Sequence, residues 1–253
     1  MNGLPTISII TVCYNSAATL PDTIRSVVAQ VGMSIQHILV DGGSTDGSIA
    51  LIEGYAREHK HVVWVSEKDQ GLYDAMNKGL SLCTGVVIGL LNADDFYCRT
   101  DALKLVAEKF AHENPDALYA DLNYVDAGHA DRIIRRWKSG IYKPNSFLWG
   151  WMPPHPTFFV RKEVYNQYGG FRLDMGSAAD YELMLRFIHK NQIQLSYLPQ
   201  TIIHMRAGGV SNKQLKNRMR ANEMDNKAWE VNGLKPYFFT RWLKPLRKIK
   251  QFL

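Results

Sequence analysis

Apolar and polar positions change period repeatedly along the first half of the chain. Residues 6–14 form a β-branched apolar run that predicts a strand, and residues 20–31 carry helical spacing, with Pro21 suited to a first turn. A second strand over residues 35–40 ends on Asp41 and enters the glycine-rich turn 42–47, after which a helix is expected to about residue 58. Residues 62–66 and 86–91 predict the third and fourth strands, and residues 73–82 and 102–113 predict helices. Repeated βα units of this length imply a mainly parallel sheet with right-handed crossovers, covered on both faces. The second half is less regular. Strands are expected at 117–125, 133–137 and 157–160, with a loop dense in Trp, Met and Pro at 146–156. Tyr181, Leu183, Met184, Phe187 and Ile188 give residues 179–191 an amphipathic helical pattern, followed by two short strands and a polar helix over 212–231. No internal repeat or low-complexity linker interrupts the chain, so the expected partition is one domain over residues 1–211 with a C-terminal helical appendage over 212–253.

In a parallel α/β sheet, ligands collect outside the carboxyl ends of the strands. Three such ends carry polar or acidic residues here: Tyr14-Asn15, Asp41-Gly42-Gly43-Ser44 and Asn92-Ala93-Asp94-Asp95. Taken singly, Asn15 and Asp41 read equally as helix caps, and the glycines as turn residues. Three together at one sheet edge point to a site. Adjacent carboxylates such as Asp94 and Asp95 repel unless a cation or a donor network compensates. Oxygen-only ligands suit Mg²⁺ or Mn²⁺, with Mg²⁺ commonly bridging one or two carboxylates to substrate phosphates. The alternative is an acidic cluster drawn to the N-terminal end of the following helix. The sequence has no G-x-x-x-x-G-K-[ST] phosphate loop, no G-x-G-x-x-G after the first strand and no G-x-S-x-G elbow. A P-loop kinase, a dehydrogenase and an α/β-hydrolase are thereby disfavoured.

These motifs resemble the family 2 glycosyltransferases of the GT-A fold. The resemblance rests on Ser8 to Asn15, on Val40 to Gly47 and on Asn92 to Asp95, and covers roughly residues 5–212. The stretch Ser66-Glu67-Lys68-Asp69-Gln70-Gly71-Leu72-Tyr73-Asp74-Ala75-Met76-Asn77-Lys78-Gly79 resembles the subgroup that builds bacterial surface polysaccharides. Ala179-Asp180-Tyr181-Glu182-Leu183 and Gly208-Gly209-Val210-Ser211 extend the match. The resemblance implies a mainly parallel, mixed sheet flanked by helices, with a Rossmann-like nucleotide-binding half. It implies a donor pocket lined by Thr11, Tyr14, Asn15, Asp41, Gly43, Ser44, Lys78, Asn92 and Asp94, with Asp41 accepting a hydrogen bond from the base. Asp95, with Asp94, is implied as ligand of Mn²⁺ or Mg²⁺, and Asp180 as the general base of an inverting transfer. His204 is implied as a metal or diphosphate contact, with a surface histidine as the alternative. Asn92 stands where many relatives carry the first acid of an Asp-x-Asp, and Ala179 where many carry Glu; Glu182 is a reserve candidate for the base. His155 and Trp151 lie in the loop where an acceptor is expected, although aromatic residues there also suit a core.

Composition alters this picture at one end only. The 253 residues carry a formal net charge of +6, yet residues 235–253 hold six basic residues and no acidic one, so the rest of the chain is formally neutral. The tail interleaves these cations with Tyr237, Phe238, Phe239, Trp242 and several aliphatic residues. It reads as an interfacial membrane anchor or, alternatively, as a helix packed on its own domain. Charge confined to a tail disfavours nucleic acid as a partner. Residues 1–14 lack the features of a secretory signal. Three scattered cysteines suit a reducing compartment, so the expectation is cytoplasmic, peripheral on the inner face of the membrane. The function expected is transfer from a nucleotide-sugar, with UDP favoured, to a saccharide or undecaprenyl-linked saccharide. A nucleotidyltransferase and a non-catalytic sugar- or nucleotide-binding protein are the alternatives.

Overall fold

The computed structural model describes residues 3–208 and 215–249. Gly209, Val210 and Ser211 of the expected GGVS motif, the first residues of the expected 212–231 helix, and Lys250, Phe252 and Leu253 of the tail lie outside them.

The first four strands, β1 (Ile7–Cys13), β2 (Ile35–Asp41), β3 (Val62–Ser66) and β4 (Val87–Leu90), pair in parallel in the order β3-β2-β1-β4. Helices α1 (Leu20–Val28), α2 (Ser48–Glu58) and α3 (Leu72–Leu82) connect them. All seven residues of β1 are buried, because both faces of the sheet are covered. Ile10 and Val12 pack with Ala75 and Met76 of α3, whereas Ile7 and Ile9 pack with residues of α4 (Ala102–Glu113) on the opposite face.

The second half makes the sheet mixed. Beyond β4 lies β8 (Phe159–Arg161), antiparallel to it, then β6 (Ala117–Val125), β9 (Leu195–Arg206) and the two-residue β5 (Phe96–Tyr97). β9 runs parallel to β6, and β7 (Ile133–Trp137) pairs antiparallel with the far end of β6. The two short strands expected after residue 191 are one twelve-residue strand, β9. The polar interruption at Gln200 and Thr201 coincides with register shifts against β6, so the ladder continues across an irregularity that reads in sequence as a break. A short helix, α5 (Lys162–Tyr168), fills a segment that carries no clear periodic signal. The amphipathic segment at 179–191 is α6 (Ala179–Met184), which widens to π geometry over Leu185–Lys190.

The C-terminal helices α7 (Leu215–Val231) and α8 (Thr240–Ile249) dock on this domain. Trp229 of α7 is buried and its indole N–H donates to the Tyr181 hydroxyl at 2.9 Å; such burial stabilises by roughly 2–3 kcal/mol. Glu182 is buried beneath α7, where it accepts two hydrogen bonds from Arg186, at 2.9 and 3.1 Å, and one from Asn232 at 3.0 Å. These partners remove Glu182 as a reserve base. α8 is fastened by the Thr240 hydroxyl on the Leu148 carbonyl at 2.7 Å, and by Lys244, which pairs with Asp225 at 2.6 Å and lies 3.8 Å from the centre of the Tyr181 ring.

Gly150 sets how closely α8 approaches. It holds φ +72°, and a Cβ there would lie 2.5 Å from the Lys244 backbone nitrogen. Gly150→Ala is therefore expected to destabilise α8 docking by about 1–3 kcal/mol. Hydrogen–deuterium exchange should show faster exchange over Thr240–Ile249 with the strands unchanged; wild-type exchange in that helix would count against the packing described.

Candidate functional site

The loops after β1 and β2 are sewn together. Asn15, in the left-handed region at φ +49°, accepts a hydrogen bond from the Thr45 N–H at 2.9 Å and donates its own N–H to the Ser44 hydroxyl at 2.8 Å. The Ser16 N–H donates to Ser48 Oγ and the Ala17 N–H to the Asp46 carboxylate, both at 2.9 Å. Asp41 is the centre of the second turn. Its carboxylate accepts the N–H groups of Gly43 and Ser44 at 2.9 Å each, the Ser66 hydroxyl at 2.7 Å and the Ser44 hydroxyl. Buried though it is, these donors hold its pKa below the ordinary carboxylate value. The expectation that Asp41 meets a base with its own oxygens is corrected: they are enclosed, and the residue shapes the turn. Thr11 is likewise buried, its hydroxyl 3.0 Å from His37 Nε2 on the α2 side of the sheet, which removes it from the pocket lining.

What the turns present outward is Tyr14, 65% exposed. A Cβ on Gly42 would meet the Asp69 carboxylate at 2.9 Å and the Tyr14 ring at 3.4 Å. Glycine is required there because the Asp69 carboxylate and the Tyr14 ring close directly over its Cα. Lys78 is near, but its ammonium is held by Glu67 at 3.0 Å, Asp74 at 3.5 Å and the Lys68 carbonyl at 3.1 Å. It therefore fixes the loop carrying Asp69.

At the end of β4 the two adjacent carboxylates part company. Asp95 is 0% exposed, and its oxygens accept the Arg206 backbone N–H at 3.2 Å and the Asn92 side-chain amide at 3.1 Å. Burial, reinforced by Asp94, pushes its pKa well above the usual carboxylate range. Asp95 is enclosed in this way, with the Asn92 amide and the Arg206 backbone as its hydrogen-bond partners. Asp94 is half-buried, and burial raises its pKa as well. Its carboxylate is stabilised by its own backbone N–H and by the Arg206 charge. Arg206, which sequence reasoning missed, donates to the Asp94 carbonyl at 2.8 Å, pairs with Asp22 of α1, and lies 5.0 Å from the centre of the Phe96 ring. A lone arginine at the end of a long strand carries no local signal of this role.

Among the described residues no three His, Cys, Asp or Glu side chains gather as a ready-made metal site. His204 sits across the β5–β9 ladder with its ring edge-on to Phe96 at 5.5 Å, away from any such group. Asp94 still fits a hard cation, because Mg²⁺-type sites take one or two carboxylates and complete their shell with substrate phosphates and water.

Asp180 stands in the first turn of α6, where its carboxylate accepts the Tyr181 N–H at 2.7 Å. It is not the helix cap; Ala178 is. Around it gather Tyr73, whose phenol is raised well above its ordinary pKa by burial and then by the Asp180 charge, and His155, held down by burial with Asp180 opposing. Phe171 lies between them, 5.4 Å from the Tyr73 ring and 5.7 Å from His155. His155 Nε2 is buried with no hydrogen-bond partner among the described residues. Tyr124 links the two acidic regions: burial raises its phenol first, and both Asp95 and Asp180 add to the effect, while Arg135, 3.5 Å from the ring centre, opposes it. Tyr124 thus lies within electrostatic reach of both Asp95 and Asp180. Trp151, by contrast, is largely core: its indole N–H donates to the Ser139 carbonyl at 2.9 Å, and it packs against Tyr119, Tyr142 and Phe147.

A parallel half-sheet with carboxylates at its strand ends is an arrangement shared by many α/β enzymes, and comparisons identify the family. Residues 8–169 match the model of the Glycosyl transferase family 2, and the chain belongs to that family. It is similar to a glycosyltransferase of Mycobacterium tuberculosis, 32% identical over 188 residues covering 74% of this chain and 70% of that protein. It is also similar to a PGL/p-HBAD biosynthesis glycosyltransferase of Mycobacterium bovis, 30% identical over 215 residues covering 82% and 80% of the two chains. Its fold is that of TarS from S. aureus in complex with UDP-GlcNAc, with a TM-score of 0.71 at 16% identity, covering 94% of this chain and 69% of that one. The mannosyltransferase PcManGT from Pyrobaculum calidifontis, in complex with GDP-Man and Mn²⁺, gives 0.68 at 18% identity, covering 96% and 69%. Family membership makes the protein a glycosyltransferase and sets aside the nucleotidyltransferase alternative.

Arg206→Ala removes the cation that joins α1, the acidic turn and β9. Allowing for the partial exposure of Asp22, it should cost about 2–3 kcal/mol in urea unfolding. Arg206→Lys should recover part of that loss. Wild-type stability in the Ala variant would show that the turn is held by other means.

Proposed function

We propose that the protein transfers a sugar from a nucleotide-sugar, with a UDP-sugar favoured, to a saccharide or undecaprenyl-linked saccharide in cell-surface polysaccharide synthesis, with inversion at the anomeric carbon. The observation that carries this reading is the gathering of the loops after β1 and β2 at one edge of the parallel sheet, joined through Asn15, Ser44 and Thr45, with the acidic turn at the same end of β4. The ligands named for the structural neighbours, UDP-GlcNAc and GDP-Man with Mn²⁺, support a nucleotide-sugar donor.

In this account the base lies against the exposed Tyr14 ring, which the loops joined by Asn15 and Ser44 hold in place. Asp94 is the part-buried carboxylate that would hold Mn²⁺ or Mg²⁺ beside the donor. When bound, the cation neutralises charge that develops on the departing nucleotide. Asp180 accepts the proton of the acceptor hydroxyl, and neutral His155 and protonated Tyr73 orient that hydroxyl beside it. The docked C-terminal helices hold the enzyme at the inner membrane surface. No helix among the described residues is long and apolar enough to cross a membrane.

The test is Asp180→Asn, assayed by release of nucleoside diphosphate from a panel of UDP- and GDP-sugars with Mn²⁺ and a bacterial lipid extract as acceptor. The variant should lose about 10²–10⁴-fold in kcat, in line with removal of a general base, while its Kd for UDP stays within about twofold of wild type. Undiminished turnover would take Asp180 out of the base role. If no donor in the panel is consumed by the wild type, the transferase reading itself fails.

A further inference from the structure

Between β7, the loop that follows it and α8 lies a cavity of about 560 Å³, within the range of small-molecule sites. Its lining includes the side chains of Arg136, Lys138, Lys143, Lys244 and Arg247, and no aspartate or glutamate among the described residues. Lys244 has a carboxylate partner, Asp225, just outside; no ion pair is recorded among the described residues for the other four. A recess with one sign of charge and walls of low dielectric concentrates an opposite charge. Trp137, Ile141, Trp151 and Met152 add apolar surface to the lining.

The surface beside it is aromatic. Trp149 precedes cavity-lining Gly150 and meets Tyr237 edge-on at 6.1 Å and Phe239 at a tilt at 5.5 Å; Phe238, 87% exposed, lies 5.1 Å from Phe239. Trp242, on the same helix as Lys244 and Arg247, is 56% exposed. Exposed Trp, Tyr and Phe next to a cationic recess match a molecule with an anionic group and a hydrocarbon chain, since aromatic rings favour the interface between water and lipid. The cavity also adjoins the chemistry. Lys244 lies over the ring of Tyr181, the residue directly after Asp180.

We infer that this cavity binds the phosphate or diphosphate of a lipid-linked acceptor, with the exposed aromatic residues taking the first part of its chain. The inference rests on the transferase reading for the word acceptor, but not for the binding itself. It assigns to the tail a specific headgroup site, beyond general attraction to a membrane.

Farnesyl diphosphate is the probe, titrated against the full chain and followed by fluorescence of Trp137 and Trp151. Saturable binding is expected, with farnesol and inorganic diphosphate each at least tenfold weaker. The double variant Arg136→Ala/Lys143→Ala, at two exposed positions, should weaken farnesyl diphosphate binding at least tenfold while keeping wild-type thermal unfolding. Equal affinity for inorganic diphosphate would make this a simple anion site and overturn the lipid assignment. Displacement by UDP would place the probe in the donor pocket and overturn the site, as would unaltered binding by the double variant. Because no turnover is required, failure here is distinguishable from failure of the transferase reading.

Discussion

A carboxylate buried without a full counter-charge is expensive, and Asp95 is such a group at the end of β4. The protein tolerates it by surrounding it with donors from distant parts of the chain. Asn92 approaches from its own turn, and the Arg206 backbone from the end of β9. The Asp95 carbonyl in turn accepts the Thr23 hydroxyl of α1 at 2.7 Å. Arg206 closes the arrangement through Asp22 and the Asp94 carbonyl. Three segments are therefore fixed relative to one another by the need to satisfy one residue. The consequence is geometric: Asp95 is held inside, while its neighbour Asp94 is only part-buried.

The same device recurs after β2. Asp41 is enclosed by four donors, and what faces outward is the turn that it organises. In both places an acidic residue of the motif does internal work so that another group can meet the ligand. In the joined loops after β1 and β2 that group is the exposed Tyr14; after β4 it is Asp94. The acceptor side is built differently, from aromatic residues around Asp180 and from a basic recess that only the docked α8 completes.

The regular elements of the nucleotide-binding half were legible because their signals are local. Period and turn residues place β1 to β4 and α1 to α4 within a few residues, and the three strand-end clusters follow from that order. The division of labour within each cluster was not legible. Asp94 and Asp95 are chemically identical neighbours, and which one is buried depends on Arg206, 111 residues away. Lys78 reads as part of a donor pocket, and its ion pairs with Glu67 and Asp74 are not legible from its own position. Glu182 is buried by α7, and one of its partners is Asn232, 50 residues further on. Tyr124 and Arg135 lie on strands whose pattern is ordinary, and only their pairing brings them beside the acids.

The central claim is that Asp94 meets the cation and nucleotide while Asp95 holds the turn. Isothermal titration of UDP with and without Mn²⁺ tests it directly on Asp94→Asn and Asp95→Asn. The account predicts that Asp94→Asn keeps wild-type stability and loses the Mn²⁺-dependent gain in affinity. Asp95→Asn should unfold at lower denaturant and retain that gain wherever it is folded. The reverse assignment, with the gain lost in the Asp95 variant and kept in the Asp94 variant, would contradict it.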